Sequence, residues 1–449
     1  MKNCWPLIKI SLAIILLVFP VATYARETYP KLANYYLSFF DARQYQDLAR
    51  WDLLVVQGEM AHYQAPFFSY FKQVKPQGKI LAYTYPAFFY RQSFFYDYWG
   101  WRADIFKQAN AHKWWLTDKE GKIAEPWPLM SAINITHDDW REFNLDYLET
   151  TYKIDAKWDG IFFDMVDSYA SYYQPKGIDI DNDGRNDSDN KINTAWRNGM
   201  TKFLSESRAK WPNKIMVING NDWGTYQKPI NGRMFESWPT PWEGAGTWAD
   251  SMKPYLVKLP AQNQSPQTYI LNGAYDPVDR RDIYAQMRFG LASTLLGDGY
   301  WSFDAGEGSH HELWWFDEYN LDLGEAESRA YNLLDPANSE VKSGLWRRDF
   351  ANGLVMVNST MRVQSVNLPT DKFRSFKGLQ DVVINNGEIV NSLTLCPKTG
   401  IILLKAGASD PELNGHYLSC YDYKSAHKPW PSFWEKLKSL FIEVYEKKY

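Results

Sequence analysis

Between residues 30 and 305, short runs of β-branched and aromatic residues recur, separated by longer segments with helical spacing. The runs at 33–39, 53–57, 80–85 and 160–164 predict strands, as do those at 215–219, 233–236, 269–272 and 299–303. Most are apolar throughout, as expected of parallel strands covered on both faces. Between them, helical spacing of apolar positions marks 139–152, 195–210 (ended by Trp211-Pro212) and 280–296 (ended by Gly297). Strand and helix repeated in this way predict an α/β fold, a (β/α)8 TIM barrel. A doubly wound open sheet competes, but no glycine-rich dinucleotide loop follows the first strand.

The stretch 86–157 is too long for one simple barrel connection and carries Trp99, Trp101, Trp114, Trp115 and Trp127. It reads as a structured insertion over the barrel mouth, since long ordered connections are usually functional. After residue 340 the pattern changes to short strands at 345–350, 354–358, 363–368, 382–384 and 400–405, separated by Asn, Gly, Pro and Ser clusters. That is a small antiparallel β domain. In the tail, Phe433, Leu437, Leu440, Phe441, Val444 and Tyr445 recur at helical spacing and predict a C-terminal amphipathic helix. Docking on its own protein is one reading of that helix, and weak membrane-surface contact is the other.

At the opposite end, Lys2 and Lys9 precede an apolar run over 10–19, and Thr23-Tyr24-Ala25 supplies small residues at a cleavage position. This reads as a signal peptide and an exported, periplasmic or extracellular protein. A membrane anchor is the alternative, but the run falls short of the ~20 residues a spanning helix needs. The organisation expected is therefore a signal peptide (1–25), a barrel (26–338, insertion at about 86–157), a β-sandwich-like domain (339–406) and a tail (407–449). Cleavage leaves Cys396 and Cys420, which either pair or remain two free thiols.

Composition sharpens this picture in two ways. With 49 Lys+Arg against 53 Asp+Glu, the net charge of −4 excludes the broad basic footprint of a nucleic-acid binder. The aromatic fraction of 17 % points to aromatic-lined surface as well as core, and flat apolar faces with polar edges suit sugar rings.

In parallel barrels the reacting groups sit at the carboxyl ends of the strands. The fourth run ends in Asp164, with Asp167 three residues on; the fifth ends in Asn219 and the sixth in Glu236. The eighth is followed by Asp304. Two carboxyls delivered to one pocket are what glycoside hydrolysis requires, one to protonate the leaving oxygen and one to attack or assist at the anomeric carbon. A single strand-end acid could equally cap the next helix, so it is their convergence that counts. Asp167, Asn219, Asp304, Tyr85, Trp238 and Trp301 are the candidate substrate-binding residues. Each tryptophan, with Trp242, Trp314 and Trp315, serves equally as packing.

A resemblance adds to this. Trp158-Asp159-Gly160-Ile161-Phe162-Phe163-Asp164, the segment WLTDKEG at 115–121, WWFDEY at 314–319 and LWRRDFANGLVMVN at 345–358 resemble a secreted glycoside-hydrolase-like TIM-barrel family with a small C-terminal β domain. More distantly, the strand-four Asp and strand-six Glu are similar in placement to those of α-galactosidase-like and endo-α-1,4-polygalactosaminidase barrels. That resemblance implies Asp164 as nucleophile and Glu236 as acid/base, in a retaining reaction on an α-linked poly- or oligosaccharide. No cofactor is implied for catalysis. The rival reading is a non-catalytic carbohydrate-binding barrel, which would need the aromatics but not the acid pair.

A second local signal lies at Asp179, Asp181, Asp183 and Asp187, with Gly184 at the sixth position. Oxygens at positions 1, 3, 5 and 9 match a structural calcium loop, because a hard cation needs several oxygens wrapped tightly. Asn190 stands where the twelfth-position Glu would be, and a solvated acidic turn is the alternative. His310-His311-Glu312 suggests metal only weakly and reads as loop polarity.

Overall fold

The computed structural model describes residues 28–413, apart from 91–100, 128, 175, 223, 240–246, 277–278, 280–281 and 307–309. The signal segment, the tail helix, Cys420, Trp99 and Trp242 lie outside the described residues, as does the side chain of Trp101.

All eight expected barrel strands form: β1 (Ala33–Tyr36), β2 (Leu53–Gln57), β3 (Lys79–Thr84), β4 (Gly160–Phe163), β5 (Ile215–Ile218), β6 (Gly232–Phe235), β7 (Ile270–Ala274) and β8 (Tyr300–Asp304). They pair in parallel in sequence order. A parallel bridge between Leu32 and Trp301, with Trp301 N donating to Lys31 O at 2.9 Å, brings the last strand back to the first. The barrel is nearly closed. Its interior is filled by alternate residues, among them Tyr35, Val55, Tyr83, Phe162, Val217, Met234 and Ile270. The residues in between face the surrounding helices. Close approach matters at β4 and β6, where a Cβ on Gly160 or Gly232 would lie about 2 Å from a carbonyl oxygen of the neighbouring strand region (2.1 Å to Ile215 O, 2.0 Å to Thr268 O).

The helices depart from expectation mainly at their starts. The helix after β4 runs Asp189–Lys210, a turn and a half longer than the apolar spacing suggests, because the Ser188 hydroxyl caps it by accepting from Lys191 N. The helix before β4 is Asp138–Tyr147, continued by a π-helical turn at Leu148–Tyr152. Ile283–Leu295 follows β7 and is buried on nearly every side, between the barrel and the C-terminal sheet.

The insertion contributes an antiparallel pair of short strands, Phe88–Tyr90 with Met130–Ala132, and a helix at Trp101–His112 between them in sequence. Its described tryptophans are mostly core. Trp114 packs edge-on against Trp140, and both Trp114 and Trp115 are buried; Trp127 is exposed. The same holds across the described residues, where most indoles are buried. Among the described residues the aromatic surplus is chiefly a packing material.

The C-terminal sheet is antiparallel. Its strands are β9 (Tyr331–Asn332), β10 (Leu345–Phe350), β11 (Gly353–Asn358), β12 (Gln364–Asn367), β13 (Phe373–Arg374), β14 (Ser392–Leu395) and β15 (Thr399–Lys405). Five of them join in the order β9-β10-β11-β15-β13, while β12 pairs with β14. The run 382–384, expected as a strand, is a turn. Asp317 and Arg288 hold that loop: Leu379 N and Gln380 N donate to Asp317 Oδ2 at 2.6 and 2.7 Å, and Arg288 pairs with Asp381 at 2.6 Å. Local β propensity is overridden by these buried bonds.

Candidate active site

Side-chain alternation along the strands decides which residues reach the mouth. Phe162, Val217, Met234 and Ile270 point into the barrel. Two positions further on stand Asp164, Asn219, Glu236 and Asn272, so these four continue the inward rows at the carboxyl rim. Asp304 ends the row of Ser302 in β8. The chain then leaves the rim abruptly. Met165 (φ 56°) follows Asp164 and Ser237 (φ 51°) follows Glu236, both left-handed without being glycine. Such residues cost of order 1–3 kcal/mol each and gather at functional sites. Gly220 (φ 136°) and Gly306 (φ 83°) make the corresponding turns after Asn219 and Asp304.

Asp164 is half-buried and held from three directions. Tyr83 Oη donates to its Oδ2 at 2.5 Å, Asn219 Nδ2 to Oδ1 at 3.0 Å, and Met165 N to Oδ1 at 2.8 Å. Burial nonetheless wins over these bonds and, with the nearby Asp167 charge, raises its proton affinity above that of an ordinary Asp. Tyr83 has one proton and gives it to the carboxylate, so the 2.8 Å contact with Tyr85 is donated by the Tyr85 hydroxyl. Burial and Asp164 keep the Tyr83 phenol protonated far above the usual range. Gln57, Phe88, Phe89 and Tyr152 line the opening beside Tyr85.

Glu236 is also half-buried at the rim. The buried phenol of Tyr35 has its pKa raised well above normal, first by burial, then by the charges of Asp164 and Glu236. Both carboxyls end inward rows of the same barrel rim. Asp304 is held from three sides: its Oδ2 accepts from Asn272 Nδ2 at 3.2 Å and meets His310 Nδ1 at 2.8 Å, while its Oδ1 accepts from Gly306 N at 2.7 Å. His310 sits edge-on to Tyr35 with ring centroids 4.7 Å apart. It is part of the mouth, and the reading of it as loop polarity is corrected here. The Oδ1 atoms of Asn219 and Asn272 are buried and take no hydrogen bond among the described residues.

Asp167 lies in the loop that follows β4. Tyr172 and Tyr173 hydroxyls donate to its Oδ2 at 2.6 and 2.7 Å, and Asn221 N donates to Oδ1 at 2.6 Å, which makes it the knot of the β4 and β5 loops. Trp301 is one residue out of phase with the inward row. It is wholly buried, and a Cβ on Gly273 or Gly290 would meet its ring at 2.3 or 2.0 Å. It packs beneath the last barrel helix and presents no ring face to the mouth, contrary to the sugar-platform expectation. Trp238 is likewise buried, against Phe235 and Tyr255.

Tyr35, Tyr83, Asn272 and His310 were absent from the expected site. Asn272 closes the seventh expected strand, so the strand-end rule applied there would have found it. Tyr35 and Tyr83 share the inward parity of their strands, a signal that becomes specific only once Asp164 is placed.

Apart from the mouth, carboxylate oxygens of Asp179, Asp181 and Asp187 lie within 4.8 Å of one another. Asp179 accepts from Asp183 N at 3.0 Å and Gly184 N at 2.7 Å, and Gly184 has φ 85°. Lys191 Nζ reaches Asp181 and Asp187 at 2.6 Å each. Asp183 is not part of the converging group; it accepts from Arg185 N.

No curated protein matches the chain. Among solved structures it is similar to the glycoside hydrolase domain of PelA from Pseudomonas aeruginosa, with 16 % identity and TM-score 0.42 over 61 % of this chain and 94 % of that one. It is also similar to the GH36 α-galactosidase AgaB from Geobacillus stearothermophilus (9 % identity, TM-score 0.46, 84 % and 55 % covered). A third is Eubacterium rectale Amy13B (10 % identity, TM-score 0.48, 84 % and 95 % covered). A family model matches residues 72–354, which takes in β4 to β8 and every rim residue from Asp164 to His310. The chain belongs to hypothetical glycosyl hydrolase family 15.

Proposed function

We propose that this protein is an exported glycoside hydrolase that cleaves α-linked O-glycosidic bonds in a poly- or oligosaccharide with retention. Asp164 acts as nucleophile and Glu236 as acid/base. The observation that carries this reading is that Asp164 and Glu236 end inward rows of β4 and β6 at the carboxyl rim of one barrel. Asp164 attacks the anomeric carbon while Glu236 protonates the departing oxygen; Glu236 then takes a proton from the water that releases the sugar. The bonds from Tyr83, Asn219 and Met165 hold the Asp164 carboxylate in one orientation, so little reorganisation is needed at the reacting centre.

Calcium in the Asp179 loop belongs to the same reading, as a stiffener of the connection after β4. It is supported by three converging carboxylates and the left-handed Gly184, and a bound ion would displace the Lys191 ammonium. The signal segment at 1–25 supports export. The test is a panel of α- and β-linked oligosaccharides with products followed by proton NMR. Hydrolysis of an α-linked member whose first-formed anomer is α supports the reading. A first-formed β anomer replaces retention with inversion, and binding without turnover across the panel leaves a carbohydrate-binding barrel.

A further inference from the structure

We propose that Asp164 attacks through its Oδ2 atom and that Tyr83 is the positioning residue for the second step, donating to that oxygen as the glycosyl-enzyme breaks down. This deepens the function proposed above and rests on Asp164 as its nucleophile. The two oxygens of the carboxylate are unequally occupied. Oδ1 accepts from Asn219 Nδ2 at 3.0 Å and from Met165 N at 2.8 Å, which takes both of its lone pairs. Among the described residues Oδ2 accepts from Tyr83 Oη alone, at 2.5 Å, and keeps one lone pair for a bond to carbon. Strand register places the phenol there. Tyr83 pairs with Phe162, two positions before Asp164 on the same face of β4. Its ring stacks on Phe162 and meets Tyr35 edge-on, with centroids 5.9 Å apart in both cases. Wedged between them, the ring holds its hydroxyl against Oδ2. The opening lined by Gln57, Phe88 and Phe89 is bordered by Tyr83 itself and by Tyr85, so it lies on the side of the Oδ2 donor.

In the first step the free Oδ2 lone pair forms the bond to the anomeric carbon while the bond to the leaving oxygen breaks, and Glu236 gives that oxygen its proton. The carboxylate becomes an ester with Oδ1 as its carbonyl oxygen. A carbonyl oxygen still accepts, so the bonds from Asn219 and Met165 last through both steps. The singly bonded oxygen of an ester is a poor acceptor, so the Tyr83 bond is lost on attack. Its proton is not stranded, because Tyr85 Oη lies 2.8 Å away and offers an acceptor. In the second step water attacks the anomeric carbon and passes a proton to Glu236, while the electron pair of the breaking bond returns to Oδ2. Charge reappears on that oxygen and Tyr83 meets it. A hydrogen bond to an ionised acceptor is stronger than one to a neutral acceptor, so Tyr83 opposes the first step and favours the second. Burial keeps the phenol protonated throughout, and it serves as neither acid nor base.

The test is pre-steady-state kinetics of the full chain on the 4-nitrophenyl α-glycoside of a sugar chain that the parent cleaves. The nitrophenolate burst reports formation of the glycosyl-enzyme, and the steady state reports its breakdown. Tyr83→Phe should form the intermediate at a rate within about a factor of three of the parent and break it down about ten- to a hundredfold more slowly. Then kcat and KM fall together, kcat/KM is largely kept, and mass spectrometry under turnover shows the protein carrying one glycosyl unit. A Tyr83 that only supports the fold would lower kcat/KM and accumulate nothing, and that result overturns the inference. Asn219→Ala supplies the contrast, because its bond to Oδ1 is kept in the ester: it should slow both steps to a similar extent without accumulation. An intermediate that accumulates in Asn219→Ala makes Oδ1 the attacking atom and overturns the inference even if Tyr83→Phe does not fold. A parent that cleaves no glycoside, or that releases the inverted anomer first, removes the proposed function and this inference with it. A retaining parent whose Tyr83→Phe variant accumulates nothing removes the inference alone.

Discussion

Two groups of aspartates in this protein face opposite ways electrostatically. At the barrel rim, Asp164 is enclosed by phenols and amides, and burial raises its affinity for a proton. In the loop after β4, Asp181 is exposed and paired with Lys191, whose hydrogen bond lowers its proton affinity. The residue type is the same. The difference is that the loop meets its carboxylates with an ammonium and backbone N–H groups, while Asp164 is met by neutral donors inside a closed wall. The lesson is that a cluster of acids is legible as chemistry only when its surroundings withhold the countercharge.

The largest effect that would break this contrast is on turnover. Asp164→Asn and Glu236→Gln should each lower kcat by about a thousandfold or more, while Asp181→Asn leaves it within about a factor of two. With a glycoside whose leaving group needs no proton, Glu236→Gln should still accumulate a glycosyl-enzyme visible by mass spectrometry, and Asp164→Asn should not. Equal activity in the rim and loop variants would erase the distinction.

Stability should move the other way. The folded state favours the protonated form of Asp164, so its contribution is present below the unfolded value near 3.8 and is lost as pH rises through the higher folded value. Asp164→Asn should therefore raise the melting temperature at neutral pH by about 1–2 °C, with the gain vanishing toward pH 4. Asp179→Ala should do the opposite. It leaves the N–H groups of Asp183 and Gly184 without their acceptor, at about 1–3 kcal/mol. Calorimetry across pH 4–8 on both variants checks the pair.

The smallest effect tests the loop's countercharge. In chelator, Asp181→Asn should shift the melting temperature by under about 1 °C, since exposed ion pairs contribute little. Added calcium should raise the melting temperature of the parent by mass action, and the rise should shrink in Asp181→Asn. No response in the parent would leave Lys191 as the cation paired with Asp181 and Asp187 and remove calcium from the reading.

How far the sequence reaches follows from what is local. Unbroken apolar runs predict eight buried strands, and all eight form, because backbone period and β propensity act within five or six residues. Asp164, Asn219 and Glu236 at the ends of those runs are legible for the same reason. Facing is less legible: Trp301 sits one position from Ser302, and that single step sends its ring under a helix and away from the mouth. The turn at 382–384 reads as a strand until Asp317 and Arg288, distant in sequence, claim the backbone of Leu379 and Gln380 and the carboxylate of Asp381 just before it. The site itself was decided by closure of the barrel. Tyr35, Tyr83, Asp164, Glu236 and His310 come from segments as much as 275 residues apart, and no local pattern records which of them will share one mouth. That choice belongs to strand pairing, parity and the low dielectric the closed wall creates, which turn ordinary tyrosines and a histidine into the environment of two carboxyls.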